Sequence, residues 1–294
     1  MSEQHRIPPI VDAQWVAAHS HDVLIVDVRW YLDGSSGREA YLHNHIPGAI
    51  WIDLDTALSG QASDEHGRHP IPDATDFATE LGEAGIGDTG TVVAYDDNGG
   101  AYAARLVWLL RLIGQNAAVL DGGLQSWPAE LVPGPEVREA TERTVIEWPK
   151  DAFRSADEVS SAVATRRAVV LDARAPDRYS GEVVLPSDIR SGHIPGARNA
   201  PWADNLTDAG TFLPPAQLRE QFTARGATAE EDVIVYCGSG VTACHNLLAL
   251  ESIGVRATLY PGSWSAWSAD SRREVVVGST PGASPTDKMK ESRV

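Results

Sequence analysis

Short runs of β-branched and other apolar residues recur along the chain and predict buried strands at residues 23–28, 91–95, 169–172 and 233–236. Stretches with helical spacing of apolar residues follow two of these runs, at residues 101–112 and 247–250, and each stretch ends near a glycine. Short strands that alternate with helices predict an α/β fold, in which a mostly parallel central sheet has helices on both faces.

Four features of the N-terminal half recur in the same order in the C-terminal half. They are Asp27 and Arg29 with Asp172 and Arg174, the HIPGA segments 45–49 and 193–197, residues 92–96 with 233–237, and residues 120–127 with 259–267. Ordered matches of this kind indicate an internal duplication. Two copies are too few for a solenoid, so they predict two similar domains.

The predicted domain boundaries follow this duplication and the composition between the copies. A chain of 294 residues is long enough for two domains that each bury a core. We predict an N-terminal domain at residues 1–129 and a C-terminal domain at residues 150–277. A linker rich in Glu and Pro lies between them at residues 130–149, and residues 278–294 have the composition of a disordered tail.

The net charge of the chain is −17, from 24 basic and 41 acidic residues, which disfavours nucleic acid and anionic membrane surfaces as partners. No apolar run approaches the ~20 residues of a membrane helix, and the N-terminus has no apolar signal-peptide core, so we expect a cytoplasmic protein. Two cysteines argue against a disulfide scaffold. No Cys or acid cluster accompanies the nine histidines, so we expect no metal centre and no cofactor.

Cys237 stands at the end of a predicted strand, directly before a glycine-rich turn and a helix. Active sites of parallel sheets lie at the carboxyl ends of strands. A glycine-rich turn at a helix N-terminus directs main-chain N–H groups into one small bowl, which stabilises an anion such as a cysteine thiolate. This pattern predicts a nucleophile, while a small buried cysteine at a strand end is the other interpretation. The first copy has Asp96 at this place, which predicts that its domain is catalytically inactive.

The loop CGSGVTA at residues 237–243, the paired HIPGA segments and the duplication resemble the two-domain rhodanese superfamily of sulfurtransferases, over residues 8–277. The loop is similar to the 3-mercaptopyruvate sulfurtransferase branch, since the thiosulfate branch has basic residues where this chain has Gly238 and Ser239. The resemblance implies that Cys237 takes sulfur from 3-mercaptopyruvate as a persulfide and releases pyruvate. A thiol, thioredoxin or cyanide then accepts the sulfur.

The resemblance also implies which residues bind the donor. Arg178 matches an arginine that binds the donor's carboxylate, a role suited to the guanidinium group. The family's second arginine falls on Ser187, and nearby Arg190 is the candidate replacement. Tyr102 matches a tyrosine that contacts the substrate. The alternative interpretation of Arg178 and Arg190 is that they are exposed loop charges. The alternative interpretation of Tyr102 is that its ring packs at an interface. The loop residues implied to surround the donor are Gly238, Gly240, Val241 and Thr242.

Proton transfer is the second task that the resemblance implies. Asp55 matches an acid that acts with a histidine and with the loop serine, Ser239. The histidine is His69, and His66 is its rival because the stretch after Asp55 is longer than in the family pattern. A neutral histidine would pass a proton through Ser239 to the carbon of the leaving enolate. An exposed loop residue is the alternative for either histidine.

Three other functions compete with this interpretation. Thiosulfate is an alternative donor for the same persulfide chemistry. A phosphatase of a related fold requires an arginine six positions after its cysteine, where this chain has Ala243. A non-catalytic sulfide-binding or regulatory module would retain the fold without a reactive thiolate.

Overall fold

The computed structural model describes residues 7–282, which form two compact units. The first unit contains residues 7–60, 71–149 and 206–212, and the second contains residues 61–70, 150–205 and 213–282. Most of the predicted tail at residues 278–294 lies outside the described residues. Within residues 7–282, no helix has both the length and the apolar character to cross a membrane.

A parallel sheet of five strands forms the centre of the first unit. Its strands, in chain order, are β1 (Ile10–Val11), β2 (Val23–Asp27), β3 (Ile50–Trp51), β4 (Thr91–Tyr95) and β5 (Ala117–Leu120), and their spatial order is β1-β5-β4-β2-β3. The helices are α1 (Ala13–Ala18), α2 (Gly37–His43), α3 (Ala74–Glu83) and α4 (Ala103–Leu112). Continuous apolar runs form the two central strands because both faces of a parallel sheet are covered.

The second unit has a four-stranded parallel sheet with the same central pairing. Its strands are β6 (Ala168–Asp172), β7 (Arg198–Asn199), β8 (Asp232–Tyr236) and β9 (Thr258–Leu259), in the spatial order β7-β6-β8-β9. Its helices are α5 (Ala156–Thr165), α6 (Pro176–Ser180), α7 (Pro215–Ala224), α8 (Ala243–Ser252) and α9 (Ser263–Ala269). The α/β fold predicted from the sequence is confirmed in both units.

The HIPGA segments make matching hydrogen bonds in the two units. The main-chain N–H of Ile46 donates to the Tyr95 hydroxyl at 3.1 Å, and that of Ile194 donates to the Tyr236 hydroxyl at 3.2 Å. Both tyrosines are the last residues of a central strand. Because Tyr236 precedes Cys237, the second segment supports the strand that carries the candidate nucleophile.

His193, the first residue of the second HIPGA segment, is part of the packed interior. Its ring stacks on Tyr179 with the centroids 3.7 Å apart, and its Nδ1 donates to the Tyr179 carbonyl at 2.9 Å. Burial lowers the pKa of His193 below its usual 6.5, because the charged form loses its hydration.

We expect this burial to make the protein less stable as the pH falls below 6.5, because the unfolded state then binds a proton that the folded His193 excludes. His193→Asn removes the titrating group and retains an N–H donor for the Tyr179 carbonyl. Urea unfolding near pH 7 and near pH 5.5 should therefore show a smaller loss of stability on acidification in the variant than in the wild type. Equal losses in the two proteins would contradict this role for His193.

A buried ion pair lies at the carboxyl end of one central strand in each unit. Arg174 Nη2 lies 2.6 Å from Asp172 Oδ2, and Arg29 Nη2 lies 2.7 Å from Asp27 Oδ2. The side chains of Asp172 and Arg174 are 0% and 1% exposed. The Arg174 guanidinium also lies over the Trp264 ring, 4.6 Å from its centroid. In the second unit, the Asp-x-Arg sequence therefore connects β6 to α9.

Residues 61–70 and 206–212 each belong to the unit that is formed mainly by the other half of the sequence. The two units are therefore not continuous in sequence, whereas the predicted domains are. Residues 61–70 belong to the second unit, where the N–H of Arg68 donates to the Ser265 hydroxyl at 3.2 Å. Residues 206–212 and the predicted linker at residues 130–149 belong to the first unit. The local sequence pattern does not show this, because it specifies an element and not the sheet against which a loop packs.

Candidate active site

The loop at residues 237–242 connects β8 to α8, as the sequence predicts. The main-chain N–H of Gly240 donates to Cys237 Sγ at 3.1 Å, and its φ of 83° lies in the left-handed region that favours glycine. The N–H of Cys237 donates to the Ser263 hydroxyl at 3.2 Å, which fixes the start of the loop. The N-terminus of α8 follows directly, with Thr242 at the N-cap position. Main-chain dipoles therefore stabilise negative charge on the sulfur.

The corresponding loop of the first unit holds a carboxylate in place of the sulfur. Asp96 follows β4 and is fully buried. Its two oxygens accept main-chain hydrogen bonds of 2.8–2.9 Å from Asn98, Gly100, Tyr102 and Ala103. Burial raises the pKa of Asp96, and these four hydrogen bonds oppose the rise. In both units the loop thus donates main-chain N–H groups to the side chain that follows the strand, which is a carboxylate in the first unit and a thiol in the second.

His69 and Ser239 form a hydrogen bond within the second unit. His69 Nδ1 lies 2.7 Å from Ser239 Oγ, whereas the rival His66 is exposed. Asp55, the third member of the predicted set, lies in the first unit, where it accepts a hydrogen bond of 2.9 Å from the indole N–H of Trp30. The action of Asp55 with His69 stays a prediction.

Two guanidinium groups lie beside Gly238, the residue after the candidate nucleophile. A Cβ atom added to Gly238 would lie 3.1 Å from Arg178 Nη2 and 3.2 Å from Arg68 Nη2. The Asp188 carboxylate contacts both groups, 2.8 Å from Arg178 Nη2 and 3.4 Å from Arg68 Nη1. Arg178 thus lies beside the loop as predicted. Sequence reasoning missed Arg68, although its neighbour His69 was singled out.

Arg190 directs its side chain to the end of α9, and its predicted contact with the donor stays a prediction. Its side chain donates hydrogen bonds of 2.8 Å to the main-chain carbonyls of Trp267, Ser268, Asp270 and Arg273. Four of the five N–H donors of the guanidinium are thereby used at the C-terminal end of α9. Arg190 therefore caps a helix, where a positive charge is favourable.

Tyr102 lies in the first unit, at the N-cap position of α4. Its ring packs edge-on against Trp30 with the centroids 5.3 Å apart, and burial raises its pKa above the usual 10.0. Trp30, which sequence reasoning also missed, therefore contacts both Tyr102 and Asp55. The predicted contacts of the donor with Tyr102, Val241 and Thr242 stay predictions.

Cys244 is fully buried inside α8, and its thiol donates to the Gly240 carbonyl at 3.4 Å. Both cysteines are free thiols. Cys244 is therefore part of the packed interior. In the described part of the chain, no three His, Cys, Asp or Glu side chains are grouped so as to hold a metal ion.

Residues 12–130 and 155–270 each match the description "Rhodanese-like domain". The chain therefore belongs to the rhodanese family, as the sequence predicts. It is 42% identical over 280 residues to a probable 3-mercaptopyruvate sulfurtransferase of Pseudomonas aeruginosa, covering 92% of this chain and 98% of the relative. It is 38% identical over 260 residues to the putative thiosulfate sulfurtransferase SseB of Mycobacterium tuberculosis, covering 87% and 91%.

A solved structure shows the same architecture. The crystal structure of the 3-mercaptopyruvate sulfotransferase SseA from Escherichia coli superposes with a TM-score of 0.77 at 32% identity. The similarity covers 88% of this chain and 99% of that chain. It therefore extends over both rhodanese-like domains.

Proposed function

We propose that this protein is a 3-mercaptopyruvate sulfurtransferase that carries sulfur as a persulfide on Cys237. The thiolate attacks the sulfur of the donor, and the C–S bond breaks with its electron pair left on carbon as the enolate of pyruvate. Protonation of that carbon gives pyruvate. A thiol acceptor then attacks the outer sulfur and restores the thiolate.

The observation that carries this proposal is the hydrogen bond from the Gly240 N–H to Cys237 Sγ, at the N-terminus of α8. A main-chain donor that is already in place stabilises the thiolate before attack and the persulfide anion after it. The relative from Pseudomonas aeruginosa, whose identity covers both domains, supports 3-mercaptopyruvate as the donor.

Proton delivery to the enolate is assigned to His69 and Ser239, whose side chains are 2.7 Å apart. We expect Ser239→Ala to slow pyruvate formation from 3-mercaptopyruvate by about 10²–10⁴-fold, the usual contribution of general acid–base catalysis. Loading of Cys237 from inorganic polysulfide should change little, because no carbon is protonated in that step. Rapid-quench measurement of pyruvate and of the Cys237 persulfide distinguishes proton transfer to the enolate from sulfur loading. Equal slowing with both donors would remove Ser239 from proton transfer.

Thiosulfate is the second candidate donor. The guanidinium groups beside Gly238 can also bind a thiosulfate oxygen, and the relative from Mycobacterium tuberculosis bears the name of a thiosulfate enzyme. We expect kcat/KM to be at least about tenfold higher with 3-mercaptopyruvate, because proton delivery by His69 and Ser239 accelerates departure of the enolate and gives thiosulfate no such advantage. The reverse order would favour the thiosulfate reaction.

Mass spectrometry of the peptide that contains Cys237 tests the proposal directly. After exposure to 3-mercaptopyruvate, the peptide should gain one sulfur atom for each pyruvate released. A peptide that alkylates normally but gains no sulfur from any donor would favour a non-catalytic module.

The proposal extends to the acceptor and the location. We propose that the reaction takes place in the cytoplasm with a thiol or a thioredoxin-type protein as acceptor. The net charge of −17 disfavours nucleic acid and anionic membranes as further partners. Steady-state assays with cyanide, small thiols and reduced thioredoxin compare the candidate acceptors.

A further inference from the structure

We propose that Arg68 binds the carboxylate of the donor, as the second arginine of a clamp that it forms with Arg178 above Gly238. This inference rests on the proposed function and adds to it a residue from a segment far away in the sequence. Asp188 is the positioning residue of the clamp.

Nitrogen atoms of both guanidinium groups lie around the position that a Gly238 side chain would occupy, with Arg68 Nη2 at 3.2 Å and Arg178 Nη1 at 3.5 Å. Arg178 Nη2 donates to both oxygens of Asp188, at 2.8 and 3.1 Å, while its buried Nε has no hydrogen-bond partner in the described structure. Arg68 uses Nη1 for the Ser187 carbonyl at 2.6 Å and for Asp188 at 3.4 Å. Its Nη2 instead lies next to the position that a Gly238 side chain would occupy.

This place is one residue from the candidate nucleophile, which suits a three-carbon donor. Gly238 follows Cys237 directly, and consecutive Cα atoms are about 3.8 Å apart. In 3-mercaptopyruvate, two carbon atoms separate the sulfur from the carboxylate carbon. A donor whose sulfur reaches Cys237 can therefore place its carboxylate at the guanidinium groups.

The charge of the cluster also suits a monoanion. Two guanidinium groups and one carboxylate carry a net charge of +1, and the Asp188 side chain is only 2% exposed. Asp188 holds both arginines in place, so they need not lose side-chain freedom when the donor binds. The Ser187 carbonyl contributes to this arrangement at the place where the resemblance implies a second arginine. Arg68, from residues 61–70, thus supplies a second guanidinium group beside Gly238.

Gly238 also contributes to the clamp. Its missing side chain leaves space for the clamp, because a Cβ atom would approach the nitrogens of both arginines at 3.1–3.2 Å. A basic side chain at this position would meet two like charges as well as this crowding. The Gly-Ser sequence after Cys237 therefore suits a loop beside which Arg68 and Arg178 supply the positive charge.

The test compares two donors and one binding probe. The donors are 3-mercaptopyruvate and mercaptoacetone, in which a methyl group replaces the carboxylate, and the probe is pyruvate. Arg68→Gln should raise KM for 3-mercaptopyruvate and weaken pyruvate binding by about 10- to 100-fold, the value of a hydrogen bond to a charged group. The rate with mercaptoacetone should stay within about threefold of the wild type, because that donor has no carboxylate. Arg219→Gln, which changes an exposed arginine of α7, is the matched control and should leave all three values unchanged.

Two results would overturn the proposal: unchanged pyruvate affinity in Arg68→Gln, or equal losses with both donors, which would indicate a structural role. Arg68→Lys retains the charge but not the paired N–H groups, so it should recover only part of the affinity. Failure of the proposed function gives a different result. The wild type would then gain no sulfur from 3-mercaptopyruvate, while pyruvate binding would still report on the clamp.

Discussion

The Cys237→Ser protein is expected to fold normally and to release pyruvate at least about 10⁴-fold more slowly than the wild type, the scale of nucleophile removal in other enzymes. Serine is close in size, and its oxygen can accept the Gly240 N–H that now bonds to the sulfur. It is not ionised at neutral pH, however, and cannot carry a second sulfur atom. Pyruvate assays and mass spectrometry of the loop peptide measure the loss, and circular dichroism checks the fold.

Cys244→Ser provides the matched control for that experiment. It changes the other thiol, which is buried in α8 and donates to the Gly240 carbonyl, a hydrogen bond that a serine hydroxyl can replace. We expect its activity to stay within about threefold of the wild type, because no reacting atom is altered. If Cys237→Ser transferred sulfur near the normal rate, or if only Cys244→Ser lost activity, the assignment of the nucleophile to Cys237 would be wrong.

The second large effect is on stability. Asp172→Asn should lower the free energy of unfolding by about 3–5 kcal/mol, because the guanidinium of Arg174 would remain buried without its counter-charge. A loss of this size is a large part of the stability of an ordinary domain. Urea unfolding at neutral pH measures it.

An exposed ion pair of the same unit gives the comparison. Arg225 Nη2 lies 2.7 Å from Asp204 Oδ2, but the two side chains are 24% and 46% exposed. Asp204→Asn should therefore cost no more than about 1 kcal/mol. If both variants lost the same small amount, the burial of Arg174 would not have the energetic weight assigned to it.

The central strands and the nucleophile loop were predictable because their signals are local. β4 and β8 are continuous apolar runs, and the glycines after Cys237 specify a turn that enters a helix. Strands of two residues, such as β3 and β7, are too short to show any period. Only pairing with a neighbouring strand defines them.

The two arginines show where local reasoning fails. Arg190 lies near Arg178 in the sequence, but its guanidinium turns to carbonyls at the end of α9. Arg68 is over a hundred positions from the loop and yet lies beside Gly238. Which arginine reaches the loop depends on tertiary packing between distant segments, which neither spacing nor composition encodes.

The packing of residues 61–70 with the second unit has a consequence for dissecting the protein. A fragment that begins at Lys150 would retain Cys237 and the whole second sheet, yet it would lack both Arg68 and His69. Separate expression of the C-terminal half would thus yield the proposed nucleophile without the histidine that is proposed as its proton donor. Although the chain contains two rhodanese-like domains, the second unit is therefore not complete without residues 61–70 of the N-terminal half.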